Sequence, residues 1–285
     1  MANRIGFREF VKKTRQDEQL QLILDANVII ASRDINHKDH KKVKGFFKSL
    51  EKITNSFTLF TSVTTKAEFL EYYRRKILTE GILDLYKRNN EKQILSNKVK
   101  KTIENQIRAR NQRQSREVQK QERLERHLES NKVDTTNIDV EEFSIDANYF
   151  RDYEIKQIKK AFRARDVETE IGWIAFCNSV LVEKLHAYEK LLDKLCHYLT
   201  TRDDISRQYF SEENVEWRMA TQICGETGMG YSDAMILNMA NHTIIQNIIT
   251  LDFDLVYGGH VSAKSKVIIT PTDRLKKYKV MLKGV

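Results

Sequence analysis

The stretch LQLILDANVIIAS, Leu20 to Ser32, is a run of Leu, Ile and Val interrupted in its middle by Asp25 and Asn27. Its apolar, β-branched character predicts a buried strand over residues 21–30. A carboxylate inside such a strand is costly. Unless it is paired or binds a cation, its pKa rises until it is neutral, so Asp25 needs a partner or a task.

Working outward, the strand is followed by a polar turn, SRDINHKDH, and then by Val43, Phe46, Phe47, Leu50 and Ile53 at helical spacing. A second strand-like run, FTLFTSV, leads into TTKAEFLEYYRRKI, where Ala67, Leu70, Tyr73 and Ile77 lie about one turn apart. Towards the other end SDAMILNMANHT reads as a helix, QNIITLD as a strand, and KVIITP as a strand stopped by Pro271, the only proline. This rhythm predicts an α/β fold, a parallel sheet flanked by helices.

Between these blocks the composition changes. From Lys87 to Glu142 there is no Phe, Trp or Tyr, and Leu95, Val99, Ile103 and Ile107 form a thin apolar stripe on a polar helix. RARNQRQSREVQKQERLER follows, with Arg108, Arg110, Arg113, Arg116, Lys120, Arg123 and Arg126. It reads as an exposed or partly disordered basic arm, able to track a phosphate backbone or simply to form a solvated helix face. The acidic VDTTNIDVEEFSID is expected to loop back. From Asp166 to Leu199, Ile171, Ile174, Asn178, Leu181, Leu185, Tyr188, Leu192 and Leu195 predict one long amphipathic helix with Gly172 as its weak point, and Trp173, Phe176 and Tyr188 as core or interface residues. The expected organisation is a discontinuous α/β domain from 1–80 and 215–285, carrying a mostly α-helical insertion at 81–214.

The net charge of +9, from 49 Lys plus Arg against 40 Asp plus Glu in 285 residues, favours a polyanionic partner such as nucleic acid. Cys177, Cys196 and Cys224 are odd in number and far apart, which argues against a disulfide framework or a zinc motif. No apolar run approaches a membrane span and MANRIGFREFVKK has no signal core, so a cytoplasmic, membrane-free protein is expected.

Ligand sites of open parallel sheets gather beyond the carboxyl ends of the strands. Asp25 interrupts the first strand, Asp252 follows QNIITL, Glu68 is expected in the first turn of the helix after the second strand, and Asp233 in the first turn of the helix starting at Ser232. Each has an ordinary alternative: Thr65 and Glu68 have capping-box spacing, Asp233 complements a helix dipole, and Asp252 and Asp254 form turns. Converging carboxylates repel unless a cation compensates them, and an all-oxygen set suits Mg²⁺ or Mn²⁺. Beside a basic surface, such an ion suggests phosphodiester hydrolysis.

LILDANVII, TSVTTKAEFLE, GYSDAMILNMA and IITLDFDL together resemble the PIN-domain family of metal-dependent nucleases, over about residues 18–80 and 215–272. The resemblance implies a PIN-like, Rossmann-like sheet and a Mg²⁺ or Mn²⁺ site formed by Asp25, Glu68, Asp233 and Asp252 that cleaves RNA. It also implies supporting roles for Asn27 and Thr250, with Asp254 a fifth acid or a turn residue. The insertion departs from compact members of the family, many of them toxins, and is expected to alter substrate choice or assembly. Single-stranded DNA, an inhibitor protein and a second copy of the chain are further candidate partners.

Rival readings are weaker. A phosphatase of the haloacid dehalogenase type needs a second aspartate where this chain has Asn27. GETGMG, Gly225 to Gly230, lacks the strand and lysine of a phosphate loop and reads as a helix end. The alternative from another class is a non-catalytic RNA-binding or scaffolding protein that retains the fold.

Overall fold

The computed structural model describes residues 3–16, 19–54, 56–92, 94–131, 147–162, 172–200, 204–211, 216–262 and 266–277. They form two compact units, Met1–Phe69 with Leu191–Val285, and Leu70–Lys190.

The first unit contains β1 (Asn3–Gly6), α1 (Phe7–Lys13), β2 (Leu20–Leu24), α2 (Ala26–Arg33), α3 (His40–Glu51), β3 (Phe57–Thr61) and the start of α4 (Val63–Lys92). The second unit holds the rest of α4, then α5 (Asn97–Asn131), α6 (Asp152–Phe162), α7 (Trp173–Val180) and most of α8 (Val182–Leu195). Back in the first unit follow β4 (His197–Tyr198), α9 (Asp204–Arg207), α10 (Arg218–Thr227), α11 (Tyr231–Asn241), β5 (Asn247–Ile249), α12 (Phe253–Ser262), β6 (Val267–Thr270) and α13 (Thr272–Lys277). Among the described residues no helix is long and apolar enough to cross a membrane.

All neighbours in the six-stranded sheet, ordered β1-β6-β5-β2-β3-β4, run parallel. The chain steps outward from β2 to β3 and β4, then returns to the other side of β2 as β5 and continues to β6. The strand order therefore reverses between β2 and β5, where a crevice opens beyond their carboxyl ends.

The opening stretch is not one strand. β2 stops at Leu24, Asp25 is extended at the N-cap position with φ −77° and ψ 156°, and residues 26–33 form α2. Ala26, Val28, Ile29, Ile30 and Ala31 are all buried, so α2 shows no polar face, and a short helix apolar on most sides has the same composition as a buried strand. The short edge strands β1 and β4 carry no such run and were not anticipated.

Ile23, Phe60, Ile248 and Ile268 of the sheet pack with Ile223, Leu237, Leu255 and Val256 from α10, α11 and α12. The terminal methyl of Met229, before α11, packs directly over Gly258 of α12. Gly228, at φ 71°, ends α10 in the left-handed conformation that glycine tolerates, as GETGMG led one to expect. Around α1 and α3, the Phe7 and Phe46 rings stack at 4.3 Å while Val43 and Leu50 are buried.

In the second unit the stripe Leu95, Val99 and Ile103 is buried with Leu78, Ile82, Phe150, Ile155 and Ile158. The expected single helix over 166–199 is instead α7 and α8 with Leu181 between them; Gly172 is the N-cap of α7 and α8 ends at Leu195. Its phase also differs, because Trp173 and Phe176 are buried while Ile174 is 71% exposed. The helix cannot reach Leu199, because His197 and Tyr198 pair with Phe60 and Thr61 as β4. Tyr188 stacks on Tyr73 with centroids 3.6 Å apart. Residues 133–146 and 166–171 lie outside the described residues.

Glu154 on α6 is fully buried. Both carboxylate oxygens accept from the Arg113 guanidinium, with Nη2 to Oε2 at 2.7 Å, and Oε2 also accepts the Arg151 amide at 2.8 Å. Removing one partner of such a pair strands a charge in the core. Glu154→Ala and Arg113→Ala are each expected to cost about 3–5 kcal/mol in urea unfolding, while the double change to Leu and Met recovers most of it.

Candidate active site

The site is built outward from Asp25, which is 1% exposed. Its amide donates to Ile249 O at 3.1 Å, seating the end of β2 against β5. Its carboxylate does not cap α2; Oδ2 accepts the Thr250 hydroxyl at 2.9 Å. The same Thr250 oxygen accepts the Asp252 amide at 2.9 Å, and Asp252 Oδ1 accepts the Asp254 amide at 2.7 Å, making Asp252 the N-cap of α12. One hydroxyl thus couples two acids that follow the neighbouring strands β2 and β5.

Glu68 arrives differently from expectation. Ser62, not Thr65, starts α4, because the Thr65 amide donates to Ser62 Oγ at 3.0 Å. This places Glu68 in the second turn, so it makes no capping box with Thr65. Ser232, in the first turn of α11, instead favours the charged form of its carboxylate. Asp233 follows Ser232, and a Cβ on Gly230 would sit 3.3 Å from its Oδ2.

The four acids feel one another. Asp25 is pushed up to about 8, first by burial and then by the charge of Asp233, with smaller effects from Asp252 and Glu68 and an opposing one from Thr250. Asp233 is pushed up to about 7, first by burial and then by Asp252, Glu68 and Asp254. Burial also raises Glu68, with Asp252 adding and Ser232 opposing. Among the described residues, however, no three acidic, histidine or cysteine side chains form a closed cage of metal ligands. The acids are near enough to repel without meeting at a common centre. In chemistry the donor set suits a hard divalent cation, being all oxygen.

The supporting residues separate. Thr250 holds Asp25 and Asp252 as described, whereas Asn27 is exposed at the second position of α2, with no side-chain hydrogen bond to the acids among the described residues. Asp254 is exposed in the first turn of α12, where its amide is capped and its charge bears on Asp233. The basic residues nominated for nucleic acid belong to the second unit. Arg108, Arg116 and Lys120 are exposed, but Arg110 donates to Asn148 O at 2.7 Å and Arg113 holds Glu154.

Sequence reading missed Arg274. From α13 its guanidinium donates to Leu251 O, next to Asp252, and to Asp39 Oδ2 at 2.7 Å, while Lys42 bridges Asp39 and Asp273 at 3.7 and 2.6 Å. Arg274 is a positioning residue that ties the loop after β5 to the start of α3. Its partner is 235 positions away, and an arginine one turn beyond a proline gives no local signal.

The chain matches no protein-family model, no curated protein and no solved structure.

A carboxyl whose pKa is raised by folding binds its proton more tightly in the folded chain. Stability is therefore lost as pH climbs from the unfolded value of about 4 towards the folded value of about 8. Denaturant unfolding in EDTA is expected to show falling stability from pH 6 to about 8. Asp25→Asn flattens the slope, and a slope unchanged by that substitution overturns the assignment.

Proposed function

We propose that the chain is a PIN-like nuclease that hydrolyses RNA phosphodiester bonds with a Mg²⁺ or Mn²⁺ ion held by Asp25, Glu68, Asp233 and Asp252. The observation that carries this reading is the buried Asp25 at the reversal of strand order, coupled electrostatically to three further acids. A bound cation would polarise the phosphate and make an attacking water more acidic at neutral pH.

The chain's own groups prepare for this. Thr250 fixes the Asp25 carboxylate and the Asp252 backbone in one step, and Ser232 favours the charged form of Glu68. Without a cation, burial and mutual repulsion keep protons on Asp25 and Asp233 to higher pH than usual. Metal binding would release them, giving a pH-dependent affinity. The family resemblance of the four motifs adds to this reading, and the three free cysteines fit a reducing cytoplasm.

A second reading is a non-catalytic RNA-binding or scaffolding protein. The lack of a closed ligand set among the described residues favours it.

The deciding experiment incubates the protein with labelled single-stranded RNA and DNA in Mn²⁺, Mg²⁺ or EDTA. Cleavage that requires metal, disappears in Asp233→Asn and falls roughly 10–100-fold in Thr250→Val is the expected outcome. Identical behaviour of wild type and Asp233→Asn, or indifference to EDTA, leaves the scaffold reading in place.

A further inference from the structure

We propose that a lysine stripe on α3 is a track for the nucleic-acid backbone, beginning at the rim of the carboxylate crevice. The proposal rests on the nuclease reading for its choice of polymer. It assigns backbone binding to a surface other than the basic arm on α5.

Lys41, Lys44, Lys48 and Lys52 recur at spacings of three and four, which puts them on one face of α3 and its C-cap, opposite the buried Val43, Phe46 and Leu50. All four are exposed, and among the described residues none has an acidic partner. Five other bases of this unit are paired: Lys13 with Glu9, Lys42 with Asp273, Lys66 with Asp193, Arg218 with Glu216 and Arg274 with Asp39. The only acid on α3 is Glu51. A helix face with four cations and the single acid Glu51 keeps a net positive charge, which lowers the free energy of an anion laid along it, and phosphates spaced along a strand match such a row without base recognition.

Placement supplies the second argument. Asp39 precedes α3 and holds the Arg274 guanidinium, whose other arm reaches Leu251 O beside Asp252. The Lys41 end of the stripe is thereby fixed to the same loop that carries a candidate metal ligand. From there α3 leads away for about 16 Å, at 1.5 Å per residue. Two of the five arginines and lysines nominated on α5, Arg110 and Arg113, are spent on Asn148 and Glu154.

The test measures anisotropy of a short labelled RNA with full-length Asp233→Asn protein in EDTA across a sodium chloride series. Adding Lys41→Gln, Lys44→Gln and Lys48→Gln is expected to weaken binding about tenfold or more and to reduce the log K against log salt slope by about 2, near 0.7 for each contact with a single strand. Arg108→Gln, Arg116→Gln and Lys120→Gln form the matched triple on α5 and are expected to change less. Equal loss from both triples, or a wild-type slope in the α3 triple, overturns the track. Binding to phosphatidylserine vesicles that depends on the stripe, with RNA binding unaffected, overturns it in favour of a membrane surface. The two readings fail separately. Wild type without metal-dependent cleavage, but with RNA affinity lost in the α3 triple, supports the track and removes the nuclease, whereas cleavage with unaltered affinity in that triple removes the track alone.

Discussion

Keeping a carboxylate almost wholly out of water at the centre of a parallel sheet is the constraint around which the first unit is arranged. Asp25 sits where β2 and β5 part, the one place in this strand order where a buried side chain can open onto a crevice. Thr250 answers one of its oxygens and at the same time shapes the loop that starts α12. The remaining demand is electrostatic: Asp233, Asp252 and Glu68 each raise its pKa. Nearby side chains relieve this only in part, so Asp25 and Asp233 hold their protons to higher pH than isolated carboxyls do.

How much of this the sequence disclosed depended on how local each signal was. β3, β5, β6 and α11 have clear periodicity between turn residues and were legible, and with them came the parallel α/β layout. Asp25, Asp233 and Asp252 lie at element ends, the last two where the sequence placed them, whereas Glu68, expected in the first turn of α4, lies in its second. α2 was misread because Val28, Ile29 and Ile30 are buried together, so no polar face marked the helical period. Ser62 displaced Thr65 as the cap because one hydroxyl in a row of Ser and Thr looks like another until the backbone direction is known. Contacts joining distant positions, Arg274 to Asp39 and Arg113 to Glu154, left no local trace.

The second unit shows how composition can mislead in the same way. Arg110 and Arg113 belong to a strongly basic run, yet their guanidinium groups face the segment from Asn148 to Glu154. There they satisfy a backbone carbonyl and a buried carboxylate. Sequence charge counts these residues as surface; the fold uses them as internal ties. A polyanion approaching α5 therefore meets fewer cations than the run suggests.

Because Asp25 turns away from α2, the opening turn of that helix has no side-chain cap. α4, α11 and α12 also begin beside acids of the cluster, Glu68 lying in the second turn of the first, Asp233 and Asp252 at the starts of the others. Four sets of aligned peptide dipoles thus direct their positive ends towards the same crevice. This background field softens repulsion among the acids. Being a property of the backbone, it would survive replacement of any single carboxylate.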